Sequence, residues 1–584
     1  MKKLCYNIDV LCDNVRKVRY ILNMIRKNPL FIAFFLNTLF FLLYVFFGQI
    51  RHGSLDDYFM SSVLTGAYGS EYDVHTYFVN SAYGYFLKPF YWLFPKVGWY
   101  FIFELLGTFA AFMVFPFFLI RQQGGKWGVL VSALFLASLT PDFYFQLSFT
   151  QCATIYTAAG LLCFFFGASE GKKRFLAIGG LFLVAGSVMR HEGFLLGTPW
   201  MVLLLLVLWR NQKHFTKRTL VAVCLVIAAI YGLRAHDRNL FSEGDYRYYA
   251  AYQPIRAYFG DGAFYDREST YDELEERGMS GHDFYSLKAW MFYDTDVFQI
   301  DSLKSIWNVS QNNLYKPNFR RLPVAFFLAV SKAFTRTSGW CWALFCFLLI
   351  LSKSKKTALY PWVSLGIIMI SVSYLLLVNR LVYRVESGIW LYAIVMAIPL
   401  LNGTFIENTI SSKLHKVLGC CVVILVFAFM IIGISNQDFL KQDVSIISSV
   451  ETPKDWNEFL QYANENMDDV FILSFDKYKE LGTLRNPPYA SIGPGTFDNI
   501  FSWGYWNIHL PAMKQELAKR GVENPIRDIV HDNVYVMEDG DPYLKIFYES
   551  HYHKSLQVDT VKKFGDLMLY KYRLSGRFEG NIHD

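Results

Sequence analysis

Two adjacent carboxylates follow the first long apolar run of the sequence. Asp56 and Asp57 come a few residues after the run at 29–50, in the stretch SLDDYFMSSVLTGAYGSEYDVH at 54–75. The run has the length of a membrane-spanning helix, so the acid pair is expected at a membrane surface, where an unused charge costs free energy. A carboxylate there can take a proton from a substrate hydroxyl. The pair is therefore the first candidate for a catalytic group.

The two carboxylates are predicted to have different roles. The residues after them recur at helical spacing and form an apolar stripe, made of Phe59, Met60, Val63, Leu64 and Ala67. Consecutive helical side chains point about 100° apart, so the two acids should face different ways. We expect Asp56 to face the cleft as a base and Asp57 to cap the striped helix. A contact with the acceptor or with a metal ion is the alternative for Asp57.

Three arginines are expected at the same surface. Arg190 begins the motif RHEG at the end of an apolar run, and Arg380 and Arg384 flank the turn in NRLVYRVESG. Arginine grips phosphate through two parallel hydrogen bonds, and a lipid phosphate would lie at this depth. Together they predict a phosphate site, although each alone could simply extend its charge to the interface.

Five more polar residues are candidates for substrate contact or for supporting the site: His75, Glu104, Asp142, His191 and Glu192. Glu104 lies inside the second apolar run and is expected to form an ion pair with one of the arginines. His75 is expected either to touch substrate or to form hydrogen bonds at the interface. No Walker, GxGxxG, CxxC or HxE spacing occurs, so neither a nucleotide site nor a zinc site is indicated.

Composition indicates the elements that must position these groups. The 584 residues are 53% hydrophobic and only 18% charged, whereas soluble domains have about a quarter charged residues. The net charge of +7 is concentrated in short breaks between apolar runs, at 121–126, 169–174, 210–218, 352–356 and 411–416. This is the pattern of cytoplasmic loops in a membrane protein, and it argues against nucleic acid as a partner.

The apolar runs predict about eleven spans, near 29–50, 97–120, 127–145, 148–167, 175–189, 193–209, 219–234, 338–352, 358–378, 388–402 and 417–435. This count makes 1–28 a cytoplasmic tail and 29–435 the membrane domain, with outer loops at 51–96 and 235–337. Two segments, 81–95 and 322–334, are predicted to be helices that lie along or partly enter the membrane surface.

The chain from 436 to 584 has a soluble composition. Helices are predicted at DWNEFLQYANEN, PAMKQELAKRG and DPYLKIFYESHY, and strands at 469–475, 533–538 and 565–573. The alternation predicts a small α/β domain on the outer face. The full fold prediction is a polytopic α-helical membrane protein with an extracytoplasmic α/β C-terminal domain.

This organisation resembles the GT-C superfamily of membrane glycosyltransferases. The likeness rests on the acid pair after the first span, the surface helices of the first outer loop and Asp142 in the second. The RHEG motif and the soluble outer tail complete it. It covers most of the chain in architecture, and the motifs are short.

The resemblance implies a specific activity. Such enzymes move a sugar, with inversion, from a polyprenyl-phosphate or polyprenyl-diphosphate donor to an acceptor on the outer side of the membrane. Asp56 and Asp57 then match the catalytic acids, and Arg190, Arg380 and Arg384 the groups that hold the departing phosphate. We expect a multi-pass protein of a bacterial cell membrane that acts on a cell-surface glycan. No WWDxG-like motif occurs in the tail, so a divalent metal ion stays an open question.

Two other functions are considered. A polysaccharide polymerase or ligase also has many spans and a large outer loop, but such proteins do not characteristically combine these with an acid pair after span one and a soluble tail. A transporter or flippase of lipid-linked intermediates would have charges near the bilayer midplane and repeated halves. The charges of this chain gather at one face instead, and no internal repeat is apparent.

Overall fold

The computed structural model describes residues 28–47, 50–210, 216–261, 266–277, 279–313, 320–351, 355–378, 380–401, 412–436, 454–484, 488–539 and 543–577. Those between 28 and 436 contain the helix bundle of a polytopic membrane protein. The predicted N-terminal tail, apart from Asn28, lies outside the described residues, as does most of the junction between the bundle and the C-terminal region.

The helices of the first half are α1 Pro29–Phe47, α2 Leu55–Leu64, α3 Ser81–Leu93, α4 Trp99–Gln123, α5 Gly125–Tyr144, α6 Phe149–Glu170, α7 Lys173–Met189, α8 His191–Leu195, α9 Thr198–Arg210, α10 Lys217–Phe241, α11 Tyr246–Asp261, α12 Arg267–Glu276, α13 Gly281–Lys288 and α14 Ile300–Asn312. Those of the second half are α15 Leu322–Thr335, α16 Ser338–Leu351, α17 Lys355–Ala358, α18 Tyr360–Leu377, α19 Tyr383–Val395, α20 Ser412–Ser435, α21 Lys454–Glu465, α22 Phe475–Leu484, α23 Pro511–Lys519 and α24 Tyr543–Tyr552.

Seven of the described helices are long and apolar enough to cross a membrane, namely α1, α4, α5, α6, α10, α18 and the part of α20 from Lys416. A helix lies at each of the eleven predicted spans, but α7, α9, α16 and α19 are shorter than a full span. The count of eleven is therefore not confirmed. Three of these four short helices correspond to the shortest apolar runs in the sequence.

The segment predicted to lie along the membrane is the first half of a bent pair. Helix α15 is followed at a break of two residues by α16, and their axes differ by 87°. A sharp bend of this kind fits a broken span or a re-entrant loop. If the pair is one span, the total rises to eight.

Helix α3 has the composition of a helix at a membrane surface. It is punctuated by Pro89, and its exposed side chains include Tyr85, Phe86 and Trp92, the last with 83% of its surface exposed. Large aromatic side chains of this kind favour the interface between lipid and water.

A two-residue parallel ladder connects the first loop to the centre of the bundle. Strand β1, Arg51–His52, pairs with β2, Gln146–Leu147, and the Gly53 amide donates to the Leu147 carbonyl at 2.6 Å. The ladder fixes the chain immediately before the acid pair against the start of α6. Helix α6 in turn is almost entirely buried, and it meets α7 so closely that a Cβ on Gly160 would lie 2.9 Å from the Gly179 carbonyl oxygen.

The C-terminal region contains a five-stranded mixed sheet in the order β4-β3-β5-β7-β6. The strands are β3 Val470–Leu473, β4 Ile500–Ser502, β5 Val534–Met537, β6 Lys554–Phe564 and β7 Leu567–Arg577. Strands β4, β3 and β5 are parallel, and β6 and β7 form an antiparallel hairpin beside β5. The three predicted helices and three predicted strands overlap observed elements, although Phe475, predicted as the end of a strand, begins α22, and β4, β6 and α22 were not predicted.

Candidate functional site

Asp56 lies in the first turn of α2 and is partly exposed, with 20% of its side chain accessible. The Tyr505 hydroxyl donates to its Oδ1 at 2.9 Å, and the Ser54 hydroxyl donates to its Oδ2 at 3.1 Å. The Arg384 guanidinium lies 3.8 Å from Oδ2. These contacts hold the Asp56 carboxylate in place, yet it remains partly accessible to solvent. The prediction of a cleft-facing base requires both.

The prediction that Asp57 caps this helix is wrong. The cap is Ser54, whose hydroxyl accepts from the Asp56 amide at 3.1 Å. Asp57 is fully buried, and its Oδ1 accepts from the Tyr100 hydroxyl at 2.9 Å and from the Phe149 amide at 3.0 Å. That amide belongs to the first turn of α6, where backbone N–H groups lack helical partners.

The surroundings of Asp57 favour its neutral form. Burial is the main cause that raises the pKa of Asp57 to about 7, and the charge of Asp56 adds to it, while the two hydrogen bonds act in the opposite direction. Its Oδ2 has no hydrogen-bond partner among the described residues. The two neighbouring acids therefore differ in exposure and in hydrogen-bonding partners.

The expected ion pair between Glu104 and an arginine is also wrong. Glu104 is fully buried in α4, and its carboxyl group lies beside the Asp57 carboxyl group and the Tyr100 hydroxyl. The sequence placed Glu104 close to the acid pair in depth, but it could not indicate which side of α4 faces the first loop.

Two of the three predicted arginines, Arg384 and Arg190, interact electrostatically with Asp56, and the third, Arg380, interacts with Arg190. Arg384, Glu192, Asp56 and Arg380 all act electrostatically on the Arg190 guanidinium, and burial is the largest of the effects that lower the pKa of Arg190. Arg384 Nε is buried and has no hydrogen-bond partner among the described residues. Helix termini position these side chains, since Arg190 links α7 to α8 and Arg384 lies in the first turn of α19.

Arg190 is held by two further contacts. Its Nη1 donates to the Thr150 hydroxyl at 2.6 Å, and its guanidinium lies 5.0 Å from the centre of the Phe149 ring. Glu192 Oε2 lies 3.7 Å from Arg190 Nε and is largely exposed. His191 instead contacts Ser187, with 3.0 Å between Nδ1 and Oγ.

His75 belongs to a separate polar cluster. Its Nδ1 lies 2.5 Å from Asp73 Oδ1, and its ring stacks on Tyr246 with 3.4 Å between the ring centres. The Tyr246 hydroxyl donates to the other oxygen of Asp73 at 2.7 Å. These contacts connect the first loop to α11 and fit the hydrogen-bonding alternative for His75.

Asp142 lies in a second buried cluster rather than beside Asp56. Its carboxylate is next to Tyr383 and Arg336, and Arg336 also lies 3.3 Å from Glu386. Tyr383 directly precedes Arg384 on α19. Asp142 therefore contacts the same helix turn that positions Arg384.

Two residues near the site were missed in the sequence. Tyr505 contacts Asp56 across 449 positions of chain, and the only local signal was the aromatic run WGYWNIH at 503–509. Arg256 is a nearly fully buried arginine on α11, which donates to the Gln253 side chain at 2.8 Å and acts electrostatically on Tyr505. It lies in the outer loop 235–337 of the sequence analysis.

Among the described residues, no group of three or more His, Cys, Asp or Glu side chains is placed to hold a metal ion. No protein-family model matches the sequence, and no curated protein matches it. The function of this protein is therefore inferred from the geometry of the site.

Proposed function

We propose that this protein is a membrane glycosyltransferase of the GT-C kind. It transfers a sugar from a polyprenyl-phosphate or polyprenyl-diphosphate donor to a glycan acceptor on the outer side of a bacterial cell membrane. The observation that carries the proposal is the close grouping of the Asp56 carboxylate with Arg384 and Arg190 at one end of the helix bundle.

The chemistry follows from these groups. Asp56 takes the proton of an acceptor hydroxyl as the oxygen attacks the anomeric carbon of the sugar. The bond to the donor phosphate breaks on the opposite face, and its electron pair leaves with the phosphate. Arg190, Arg380 and Arg384 stabilise the negative charge that grows on that phosphate.

The neighbouring acid has a supporting role in this proposal. Asp57 is buried behind Asp56 and bridges α4 and the start of α6, since it accepts hydrogen bonds from both. It keeps the first turn of α2 in place, and it is too enclosed to meet an acceptor. Glu104, beside it, belongs to the same support.

The test is Asp56→Asn, which keeps the size of the side chain and removes its basic lone pair. The purified full-length protein in liposomes receives radiolabelled polyprenyl-phosphate and polyprenyl-diphosphate sugars and an envelope fraction as acceptor source. We expect sugar to leave the lipid with the wild type and transfer to fall by at least about a hundredfold in the variant, the scale of general base catalysis. Donor binding should be unchanged.

Asp57→Asn is the matched control, because an asparagine oxygen still accepts from Tyr100 and Phe149. It should retain most of the activity. Equal transfer by wild type and Asp56→Asn would remove Asp56 from the mechanism. If no donor lipid loses sugar with the wild type, the proposed activity is wrong.

A further inference from the structure

Tyr505 connects the C-terminal region to the candidate base. It lies just after β4 and is 5% exposed, and among the described residues its hydroxyl and that of Ser54 donate to the Asp56 carboxylate. We propose that Tyr505 is a positioning residue for sugar transfer, which holds Oδ1 of Asp56 so that Oδ2 is directed towards Arg384. The inference rests on the proposed function, because it takes Asp56 to be the base.

The geometry explains why Asp56 needs such a partner. A partly exposed aspartate on the first turn of a helix can rotate freely about its side-chain bonds, and a base in the wrong orientation loses most of its effect. Ser54 and Tyr505 donate to different oxygens of the carboxylate, at 3.1 and 2.9 Å. The pair defines the plane of the carboxylate, with the looser Arg384 contact of 3.8 Å on the Oδ2 side.

Tyr505 is suited to permanent donation. Burial and the negative charge of Asp56 raise the pKa of Tyr505 well above its ordinary value, so the hydroxyl keeps its proton over the whole working range of pH. Its backbone is fixed as well, because the Tyr505 amide donates to the Ser502 hydroxyl at 2.9 Å.

An aromatic cluster makes Tyr505 follow the helix that carries the base. The Tyr505 ring lies 4.9 Å from that of Phe59, one turn after Asp56 on α2, and 5.7 Å from that of Tyr478. Phe59 and Tyr478 are themselves stacked at 4.6 Å. Because these rings pack against one another, they hold the Tyr505 side chain against α2, with its hydroxyl at Asp56.

The cluster also offers a matched control. Tyr478 is fully buried in the same cluster, and its hydroxyl contacts the Tyr68 hydroxyl and accepts from Asn507 Nδ2 at 2.6 Å. No described hydrogen bond joins Tyr478 to Asp56. A phenylalanine at either position removes one hydroxyl and keeps the ring, so the two variants differ in whether the lost hydrogen bond reaches the base.

The first experiment compares the kinetics of the two variants in full-length protein with the radiolabelled polyprenyl sugars. Tyr505→Phe should lower kcat by about ten- to hundredfold, the effect of one hydrogen bond to a charged group, with little change in KM for the donor. Tyr478→Phe should lower the melting temperature and leave kcat within about twofold of wild type. An unchanged kcat in Tyr505→Phe, or an equal fall in both variants, overturns the proposal.

The second experiment is a double-mutant cycle on thermal stability, which needs no sugar donor. Asp56→Ala, which removes both carboxylate oxygens, and Tyr505→Phe should be coupled, so that their combined effect differs from the sum of the single effects, whereas Asp56→Ala and Tyr478→Phe should add. Additive effects for the first pair overturn the contact. Transfer that depends on Asp56 and not on Tyr505 overturns the positioning role alone, and absence of any transfer by the wild type overturns the proposed function together with that role.

Discussion

Asp56 and Asp57 are neighbours in sequence, yet the protein gives them opposite environments. One is partly exposed and faces an arginine, and the other is enclosed between α4 and α6 beside Glu104. Substitution of Asp57 should therefore affect stability, and substitution of Asp56 should affect activity. The two effects can be separated by their dependence on pH.

We expect Asp57→Asn to change how stability depends on pH. The folded protein keeps a proton on Asp57 up to about pH 7, whereas the unfolded chain releases it near 3.8. The fold thus binds more protons than the unfolded chain between these values, so its stability falls as pH rises from about 4 to 7, by up to about 1.4 kcal/mol per pH unit. Asparagine cannot ionise, so this part of the fall should disappear.

The measurement is the melting temperature in detergent at pH 5, 6, 7 and 8 for wild type and variant. The variant should gain relative stability with increasing pH and level off above pH 7. An identical pH dependence in both proteins would show that Asp57 is charged in the fold.

Arg190 provides a second prediction at the residue scale. Arg190→Lys should lose about tenfold or more of the transfer activity, because an ammonium cannot donate to Thr150 and grip a phosphate with two parallel hydrogen bonds at once. Arg174→Lys is the control, since Arg174 also lies over an aromatic ring, that of Phe175, at the other end of α7. Unchanged transfer in both variants would mean that Arg190 only extends its charge to the membrane interface and does not hold phosphate.

At the scale of elements, the junction between α4 and the C-terminal region is unusually tight. The Gly98 amide donates to the Tyr489 carbonyl at 2.7 Å, and Val97 pairs with Ala490 in an antiparallel bridge. A Cβ on Gly98 would lie only 2.2 Å from the Pro488 carbonyl oxygen, so the two backbones can approach only with glycine there.

We therefore expect Gly98→Ala to push the 488–490 segment away and to lower stability by about 1–3 kcal/mol. Gly232→Ala is the control, because Gly232 lies within α10 with no atom within 4 Å of its added Cβ. That change should be neutral or stabilising by up to about 1 kcal/mol. The measurement is the melting temperature of each variant in detergent. Equal shifts from the wild-type value in the two variants would contradict the contact.

The elements that could be predicted from the sequence are those set by local pattern. The long apolar runs and the stripe of α2 depend on residues close in the chain, and their positions were predicted. The cap of α2 could not be chosen locally, because Ser54, Asp56 and Asp57 are all good caps. The choice is made by the pairing of β1 with β2, which fixes the chain up to Gly53.

The contacts of the candidate site also fall into those that local pattern predicts and those that depend on distant segments. The approach of Arg190 and Arg384 to Asp56 was predictable, because all three follow apolar runs that end at one surface. The contact of Tyr505 with Asp56 was not predictable, since nothing in an aromatic run 449 positions away indicates a partner on α2. Contacts between distant segments depend on the packing of whole elements, which a single sequence does not reveal.

At the scale of the whole molecule, charged groups collect at two opposite ends of the bundle. At one end, Arg121 pairs with Glu170 at 2.6 Å and Lys172 pairs with the same carboxylate at 2.9 Å, which joins the basic breaks at 121–126 and 169–174. The other end holds the acid pair, the three arginines and the contacts with the C-terminal region. Basic breaks that meet at one end are what a common cytoplasmic side requires.

Helix α4 relates the two ends to the membrane. Its start adjoins the bridge from Val97 to Ala490 in the C-terminal region, and its last turn carries Arg121. Twenty-five helical residues span about 37 Å, which exceeds the hydrocarbon thickness of a bilayer. The C-terminal region and the basic breaks must therefore lie on opposite sides of any membrane that α4 crosses.

Which side is outside is the last prediction. Since the basic breaks favour the cytoplasm, a cysteine in place of the exposed Lys554 should react with an impermeant maleimide in intact cells. A cysteine in place of the exposed Lys126 should react only after the membrane is permeabilised, and the unaltered chain gives the background from its native cysteines. The reverse pattern would invert the orientation and exclude an acceptor on the outer face. Reaction of both positions under the same condition would mean that α4 does not cross the membrane.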